Sequence, residues 1–82
     1  MISIKCKFPE KTTIETSFKE AIDFANRLQC NVEFEYRFIV CIAYPSELYS
    51  ASINKGVEEY IKALKRAEQA AYYGIFVAES KL

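Results

Sequence analysis

Residues 32–44 constrain the fold more than any other part of the chain. In residues 32–36, apolar side chains alternate with Glu33 and Glu35, the period-two pattern of a strand with one buried face. Residues 38–44 are then apolar at every position, which is typical of a strand covered on both faces. A single strand of this length would be unusual, because strands of about 5 to 6 residues are the norm. We therefore expect a hairpin, with one long bent strand as the alternative.

The turn of this hairpin is expected at residues 36–38, although no Asn-Gly or Asp-Gly marks it. Beyond the turn, successive side chains point to opposite faces of the sheet, so Ile39, Cys41 and Ala43 share one face. The other face is apolar too and needs a cover that a short chain can hardly supply. It is a candidate contact surface, with ordinary amphipathic surface packing as the alternative. Its residues are Tyr36, Phe38, Val40, Ile42 and Tyr44.

The N-terminal part of the chain predicts a strand followed by a helix. Residues 2–8 alternate between apolar and polar side chains, and Pro9 ends this strand because proline cannot donate to a ladder. Ser17 and Glu20 have the spacing of a capping box, so we place the helix start there. Apolar residues then recur at helical spacing, and the helix is expected to end near Gln29.

The C-terminal half predicts a second helix. Residues 45–46 (Pro-Ser) break the preceding strand and supply a serine cap, so helical character is expected from Glu47, with its regular part from Val57. Gly74 is the expected left-handed cap of this helix. Residues 75–78 form either a short strand or a continuation of the helix, and the sequence leaves both open.

The order of these elements predicts an α+β fold, a two-layer sandwich with the sequence β-α-β-β-α and a possible last strand. With that strand, the order along the chain is the one found in ferredoxin-like folds. The chain has 82 residues, enough for one core, so residues 1–82 are expected to form a single domain. Such an architecture hosts many unrelated activities, and function must be argued from the residues.

Composition excludes several classes of function. Eleven basic residues balance eleven acidic ones, so the phosphate-driven attraction of a typical nucleic-acid binder is missing. Histidine is absent and the three cysteines lack metal-ligand spacing, so we expect no metal site and no cofactor. No nucleophile–base pair or glycine-rich phosphate loop is present, so we expect a protein that is not an enzyme. The sequence shows no signal peptide and no apolar span of roughly 20 residues, which predicts a cytoplasmic protein.

Charged and aromatic residues suggest where a partner would bind. Two carboxylates, Glu33 and Glu35, share a strand face that is either ordinary solvated surface or a patch that docks on a basic groove of another protein. Tyrosine is favoured in protein interfaces, and the adjacent Tyr72 and Tyr73 point about 100° apart on a helix, so one of them leaves the core stripe. The predicted partner-binding residues are Glu33, Glu35, Tyr36, Arg37, Phe38, Tyr44, Tyr72 and Tyr73.

Residues 20–26 (EAIDFAN) and 30–36 (CNVEFEY) resemble a pattern common in very small bacteriophage proteins. In those proteins a short strand and a helix precede a V-E-F-x-F strand, a tight turn, another strand and a proline before the final helix. The resemblance covers residues 2–49 and departs from the pattern at residues 37–38, where Arg-Phe replaces the usual Asn-Gly. It implies a phage or mobile-element product of the anti-CRISPR or anti-defence type. Such proteins typically inhibit a host protein or complex by stoichiometric binding.

Two other functional classes remain open at this point. An RNA- or nucleotide-binding module would use Arg37, Phe38 and Tyr44, which fall where RNA-recognition domains carry the aromatics of their third strand. A small-molecule-binding homo-oligomer is the third class. A homodimer would bury the outer apolar face of the second hairpin strand. Its expected interface consists of Phe38, Val40, Ile42 and Tyr44.

Overall fold

The computed structural model describes residues 3–7, 12–70 and 74–82. Four strands and two helices follow one another in the predicted order, which confirms the α+β class. The elements are β1 (Ser3–Cys6), α1 (Ile14–Leu28), β2 (Asn31–Tyr36), β3 (Ile39–Ala43), α2 (Tyr49–Gln69) and β4 (Val77–Glu79). Neither of the described helices is long and apolar enough to cross a membrane.

The four strands form one sheet in the order β1-β2-β3-β4. β1 is parallel to β2, β2 is antiparallel to β3, and β3 is parallel to β4. Both helices lie on the same face of this sheet. The Phe18 ring of α1 packs edge-on against Phe34 of β2, and Tyr60 of α2 packs edge-on against Tyr36 of the same strand. Because side chains two apart on a strand share a face, the molecule is a two-layer sandwich.

The arrangement of the strands differs from that of a ferredoxin-like fold, in which another strand separates the two that each helix connects. Here the connected strands are direct neighbours, so the predicted order along the chain is confirmed without the split arrangement in space. Helix α1 connects β1 to β2, and helix α2 connects β3 to β4, so each connection moves one strand further in the same direction across the sheet. The strands of the second pair run antiparallel to those of the first pair. With both helices on one face, the two crossovers have opposite hands. One of them is therefore the uncommon left-handed connection.

Helix α1 begins one turn earlier than the capping-box pattern predicts. Its N-cap is Thr13, whose side-chain oxygen accepts a hydrogen bond from the Thr16 amide at 3.1 Å. Ser17, the predicted cap, is fully buried inside the helix. Threonine is also a favoured N-cap residue, and the additional turn is stabilised because it packs the half-buried Ile14 against the core. The predicted end is confirmed by Gln29, which adopts the left-handed conformation with φ 53°.

The sequence predicts a regular helix only from Val57, but helix α2 is continuous from Tyr49 to Gln69. The predicted start at Glu47 and the predicted cap Ser46 are both wrong, because the helix begins at Tyr49 with Leu48 as its N-cap. The Ser46 hydroxyl instead accepts a hydrogen bond from the Leu48 amide at 3.1 Å, ahead of the helix. The helix ends at its C-cap Ala70, which adopts an extended conformation, so Gly74 does not cap it.

The last strand settles the alternative that the sequence leaves open. Residues 77–79 pair in parallel with β3, with Cys41 opposite Ala78. The Val40 amide donates to the Phe76 carbonyl at 2.9 Å, and the Ser80 amide donates to the Ile42 carbonyl at 3.0 Å. β4 therefore completes the sheet beside β3. The core lies between sheet and helices and consists of Phe18, Ala21, Ile22, Ala25, Val32, Phe34, Ile39, Cys41, Ala43, Ile53, Tyr60, Ala63 and Ala78.

Candidate protein-contact surface

The hairpin is confirmed, and its turn is under backbone strain. Pairing of β2 with β3 runs up to Tyr36 opposite Ile39, which leaves Arg37 and Phe38 as a two-residue turn. Their φ angles are 46° and 59°, the positive values that a type I′ turn requires at both central positions. Asparagine and glycine usually supply this conformation, because it costs other L-residues about 1–2 kcal/mol each. We call these two residues the hairpin tip.

Arg37 turns its charge toward the helix side of the hairpin tip. Its guanidinium carbon lies 5.9 Å from the centroid of the Tyr36 ring. The Tyr36 ring in turn packs edge-on against Tyr60, with centroids 5.4 Å apart. Burial raises the pKa of Tyr60, and the nearby Arg37 guanidinium partly offsets that rise. The Arg37 guanidinium therefore lies beside the two tyrosines, on the helix side of the hairpin tip.

Tyr36 does not belong to the uncovered face, contrary to the sequence prediction. It is opposite Ile39 in the register, on the face that the helices cover, and its hydroxyl donates to the Thr12 carbonyl at 2.9 Å. The alternation of β2 dictates this placement, because Tyr36 is two residues from the buried Phe34. Phe38 is the aromatic residue that reaches solvent here, with 65% of its surface exposed.

The uncovered face carries a stripe of apolar residues beside a row of carboxylates. The register places Glu33 of β2 next to Ile42 of β3, and Glu35 next to Val40. Glu33 and Glu35 therefore lie on the same face of the sheet, as the sequence predicts. β4 adds two residues to this face, and β1 adds a lysine. We call the whole set the outer sheet face. It consists of Lys5, Glu33, Glu35, Val40, Ile42, Val77 and Glu79.

The carboxylates of the outer sheet face differ in their partners. Glu33 forms an ion pair with Lys5 at 3.8 Å, an exposed contact of the kind that contributes about 0–1 kcal/mol. Glu79 accepts a hydrogen bond from the Tyr44 hydroxyl at 3.1 Å. Glu35 is exposed, and the described part of the chain offers it no ion pair. Its charge is therefore the one on this face that is most available to a partner.

Tyr44 is tied to the C-terminal segment. Its backbone amide donates to the Ser80 hydroxyl at 2.9 Å, and the Lys81 ammonium lies 5.9 Å from the centroid of its ring. Partial burial and then the Glu79 carboxylate raise the pKa of Tyr44, so its hydroxyl stays protonated at neutral pH. Tyr44 therefore borders the outer sheet face as a half-buried residue and holds β4 in place.

The structure brings together most of the residues singled out from the sequence. Six of them lie on or next to the outer sheet face, whereas Tyr36 lies on the helix-covered face and Arg37 lies beside it at the hairpin tip. Tyr72 and Tyr73 fall outside the described residues. Sequence analysis missed three members of the face, which only the pairing of β1 and β4 assigns. These are Lys5, Val77 and Glu79.

The chemistry that this surface offers is contact area and charge. Burial raises the pKa of the Cys41 thiol to about 12, so it is not a nucleophile at neutral pH. Cys6 and Cys30 are half-buried free thiols. Within residues 3–7, 12–70 and 74–82, no group of three or more His, Cys, Asp or Glu side chains could hold a metal ion.

Comparison with protein-family models, with curated proteins and with solved structures finds no match to this chain. The structure defines a two-layer α+β sandwich whose four-stranded sheet has helices on one side.

Proposed function

We propose that this chain is a non-enzymatic protein-binding module that docks another protein on its outer sheet face. The observation that carries the proposal is that α1 and α2 both pack on the opposite face of the sheet. Val40, Ile42 and Val77 are left partly exposed, next to the 65% exposed Phe38. Contiguous apolar surface rimmed by polar residues is typical of a protein-contact site.

The charges beside this stripe favour a partner with basic residues. Glu33 and Glu35 form a row on β2, immediately next to the apolar residues of β3. Lysines or arginines of a partner would meet this row while its apolar side chains cover Val40 and Ile42. Complementary charge of this kind orients the encounter and raises its rate. We therefore propose a partner surface with an apolar centre and a basic flank.

A second copy of the chain fits this face less well. In a face-to-face dimer whose two-fold axis is parallel to β3, Glu33 of one copy would lie over Glu79 of the other. A two-fold axis in the plane of the sheet across the strands would place the carboxylate row of β2 over itself. Like charges brought together in an interface oppose association. A homodimer centred on Val40 and Ile42 is therefore disfavoured by electrostatics, whereas a basic partner is favoured.

Nucleic acid is the weaker alternative. Arg37 is directed toward Tyr36 and Tyr60, and three carboxylates lie on the outer sheet face. Phosphates are attracted by lysine and arginine, and a carboxylate row repels them. Among the aromatic residues that the structure describes at the outer sheet face and the hairpin tip, Phe38 offers the most exposed ring for base stacking.

Within the protein-binding class, we propose that the partner belongs to a bacterial defence system and is inhibited by stoichiometric binding. The support for this narrower proposal is the resemblance of residues 2–49 to very small bacteriophage proteins. The open sheet face is compatible with it, since stoichiometric inhibition needs a contact surface and no catalytic group.

The test is a tagged capture from a bacterial lysate that carries phage-defence systems, read by mass spectrometry and by nucleic-acid absorbance. Two charge-reversed variants accompany the wild type. Glu33→Lys with Glu35→Lys alters the outer sheet face, and Glu20→Lys with Glu68→Lys makes the same change in net charge on exposed helix positions. We expect one protein at near-stoichiometric yield with the wild type and the helix variant, and its loss with the sheet variant. Capture that is equal for all three chains, or nucleic acid in place of protein, would overturn the proposal.

A further inference from the structure

The hairpin tip combines backbone strain with exposure. Phe38 has φ 59° and is 65% exposed, so its ring gains little from the core. Glycine would adopt the same backbone conformation without the steric penalty that a Cβ atom brings. The fold therefore does not need phenylalanine at this position. Strain that the surrounding structure maintains without benefit to the core is typical of functional positions.

Charge is segregated around the Phe38 ring. Arg37 lies over Tyr36 and close to Tyr60, on the helix side. Glu35 belongs to the opposite, outer face and is exposed. A partner that covers both the outer sheet face and the hairpin tip would meet the exposed Phe38 and the exposed Glu35, while the Arg37 guanidinium lies over Tyr36 on the helix side.

We propose that Phe38 is the anchor residue of the contact, inserted into an apolar pocket of the partner protein that carries a lysine or arginine at its rim opposite Glu35. This inference rests on the proposed function and names the centre of that interface. Buried aromatic anchors dominate the binding energy of protein interfaces. A short two-residue turn also presents the ring without a flexible loop that would have to be ordered on binding.

The experiment separates binding from folding with substitutions at one position. Phe38→Gly removes the ring and also relieves the backbone, so it should raise the melting temperature and weaken binding. Phe38→Tyr keeps the ring and should keep the affinity. Phe24→Ala is the matched control, because Phe24 is a partly exposed phenylalanine on α1. Affinity is measured by calorimetry with the purified protein obtained in the capture described above.

A photo-crosslinker locates the contact directly. The substitution Phe38→p-benzoylphenylalanine is compared with the same substitution at Phe24. We expect crosslinking to the partner from position 38 only, onto a peptide that lines an apolar pocket with a basic residue at its rim.

In the calorimetric measurement, we expect Phe38→Gly to lower the affinity for the partner by about tenfold or more.

Each result distinguishes this inference from the broader proposal. An affinity within about twofold of wild type for Phe38→Gly would overturn the anchor. If the Glu33→Lys and Glu35→Lys double variant still abolished capture in that case, the docking face would stand without it. Crosslinking of one chain to another copy of itself, or to nucleic acid, would overturn both.

Discussion

Ile39 and Val40 are adjacent on β3, yet Ile39 is completely buried and Val40 is partly exposed. Ile39 points into the space between sheet and helices, opposite Tyr36, and Val40 points to the outer sheet face, opposite Glu35. The contrast follows from strand geometry, since successive side chains alternate between faces. What separates the two residues is that both helices lie on one side.

The first prediction uses this pair. Ile39→Thr should lower the free energy of unfolding by about 2–4 kcal/mol, because it removes a buried methyl group and replaces a buried methylene with a hydroxyl. Val40→Thr, which exchanges one partly exposed methyl group for a hydroxyl on the next residue, should lower it by less than about 1 kcal/mol. Urea denaturation of both variants measures the difference. Equal losses would mean that the outer sheet face is covered after all.

The second prediction concerns the strain at the hairpin tip. Phe38→Gly and Phe38→Ala both remove the ring, but only glycine tolerates φ 59° without a steric penalty. Phe38→Gly should therefore be more stable than Phe38→Ala by about 1–2 kcal/mol. For a domain of this size, each 1 kcal/mol corresponds to roughly 4–8 °C in the melting temperature, which thermal unfolding resolves. If alanine proved as stable as glycine, the turn would not be strained.

The third prediction concerns the contact between the helices. A Cβ atom at Gly56 of α2 would lie 2.7 Å from two carbon atoms of the Phe18 ring, so at least one of the two residues would have to shift. Gly56→Ala should therefore destabilise the protein by about 1–3 kcal/mol, although alanine is the better helix former by about 1 kcal/mol. Ser50→Ala, at an exposed position of the same helix, is the control and should be neutral or slightly stabilising. A stabilising Gly56→Ala would contradict the close packing.

The fourth prediction is a loss of stability at alkaline pH. Burial raises the pKa of the Cys41 thiol from its ordinary value of 9.0 to about 12 in the folded protein. The unfolded chain thus releases this proton first as the pH rises, and stability that is fully present below pH 9 falls between about pH 9 and pH 12.

Denaturation under reducing conditions at increasing pH tests this, with Cys41→Ala as the comparison. The variant should be less stable at neutral pH because of the cavity, and its stability should fall less steeply above pH 9. Parallel curves for the two chains would show that the thiol is not buried. The tyrosines with raised pKa values remain in both chains and do not affect the difference.

The first three strands follow from the sequence pattern, with the hairpin preferred over one long bent strand, whereas β4 stays open until its pairing with β3 is seen. The alternation of residues 32–36 marks the buried face of β2, and the usual strand length of about 5 to 6 residues favours dividing residues 32–44 into β2 and β3. The same alternation fixes Glu33 and Glu35 on one face, which is the part of the candidate site that the sequence predicts correctly. Local pattern is sufficient here because strand geometry forces it.

Other features depend on tertiary contacts that local pattern does not record. The capping-box pattern places the start of α1 at Ser17, whereas the helix begins after Thr13 and its first turn packs Ile14 against the core. The turn residues Arg37 and Phe38 are not the asparagine or glycine that usually occupy a type I′ turn. Their positive φ angles are imposed by the pairing of β2 with β3 on either side. The strand order is not predicted either, because it requires two crossovers of opposite hand, and crossovers are nearly always right-handed.

The most direct test of the docking face compares two apolar residues on opposite sides of the molecule. Val40→Lys places a charge in the centre of the outer sheet face, and Ile61→Lys places the same charge on an exposed position of α2. The dissociation constant of the captured partner is measured by calorimetry for both variants and the wild type. We predict that Val40→Lys weakens binding by about tenfold or more and that Ile61→Lys leaves it within about twofold of the wild type. Unchanged binding for Val40→Lys, or a loss confined to Ile61→Lys, would contradict the account.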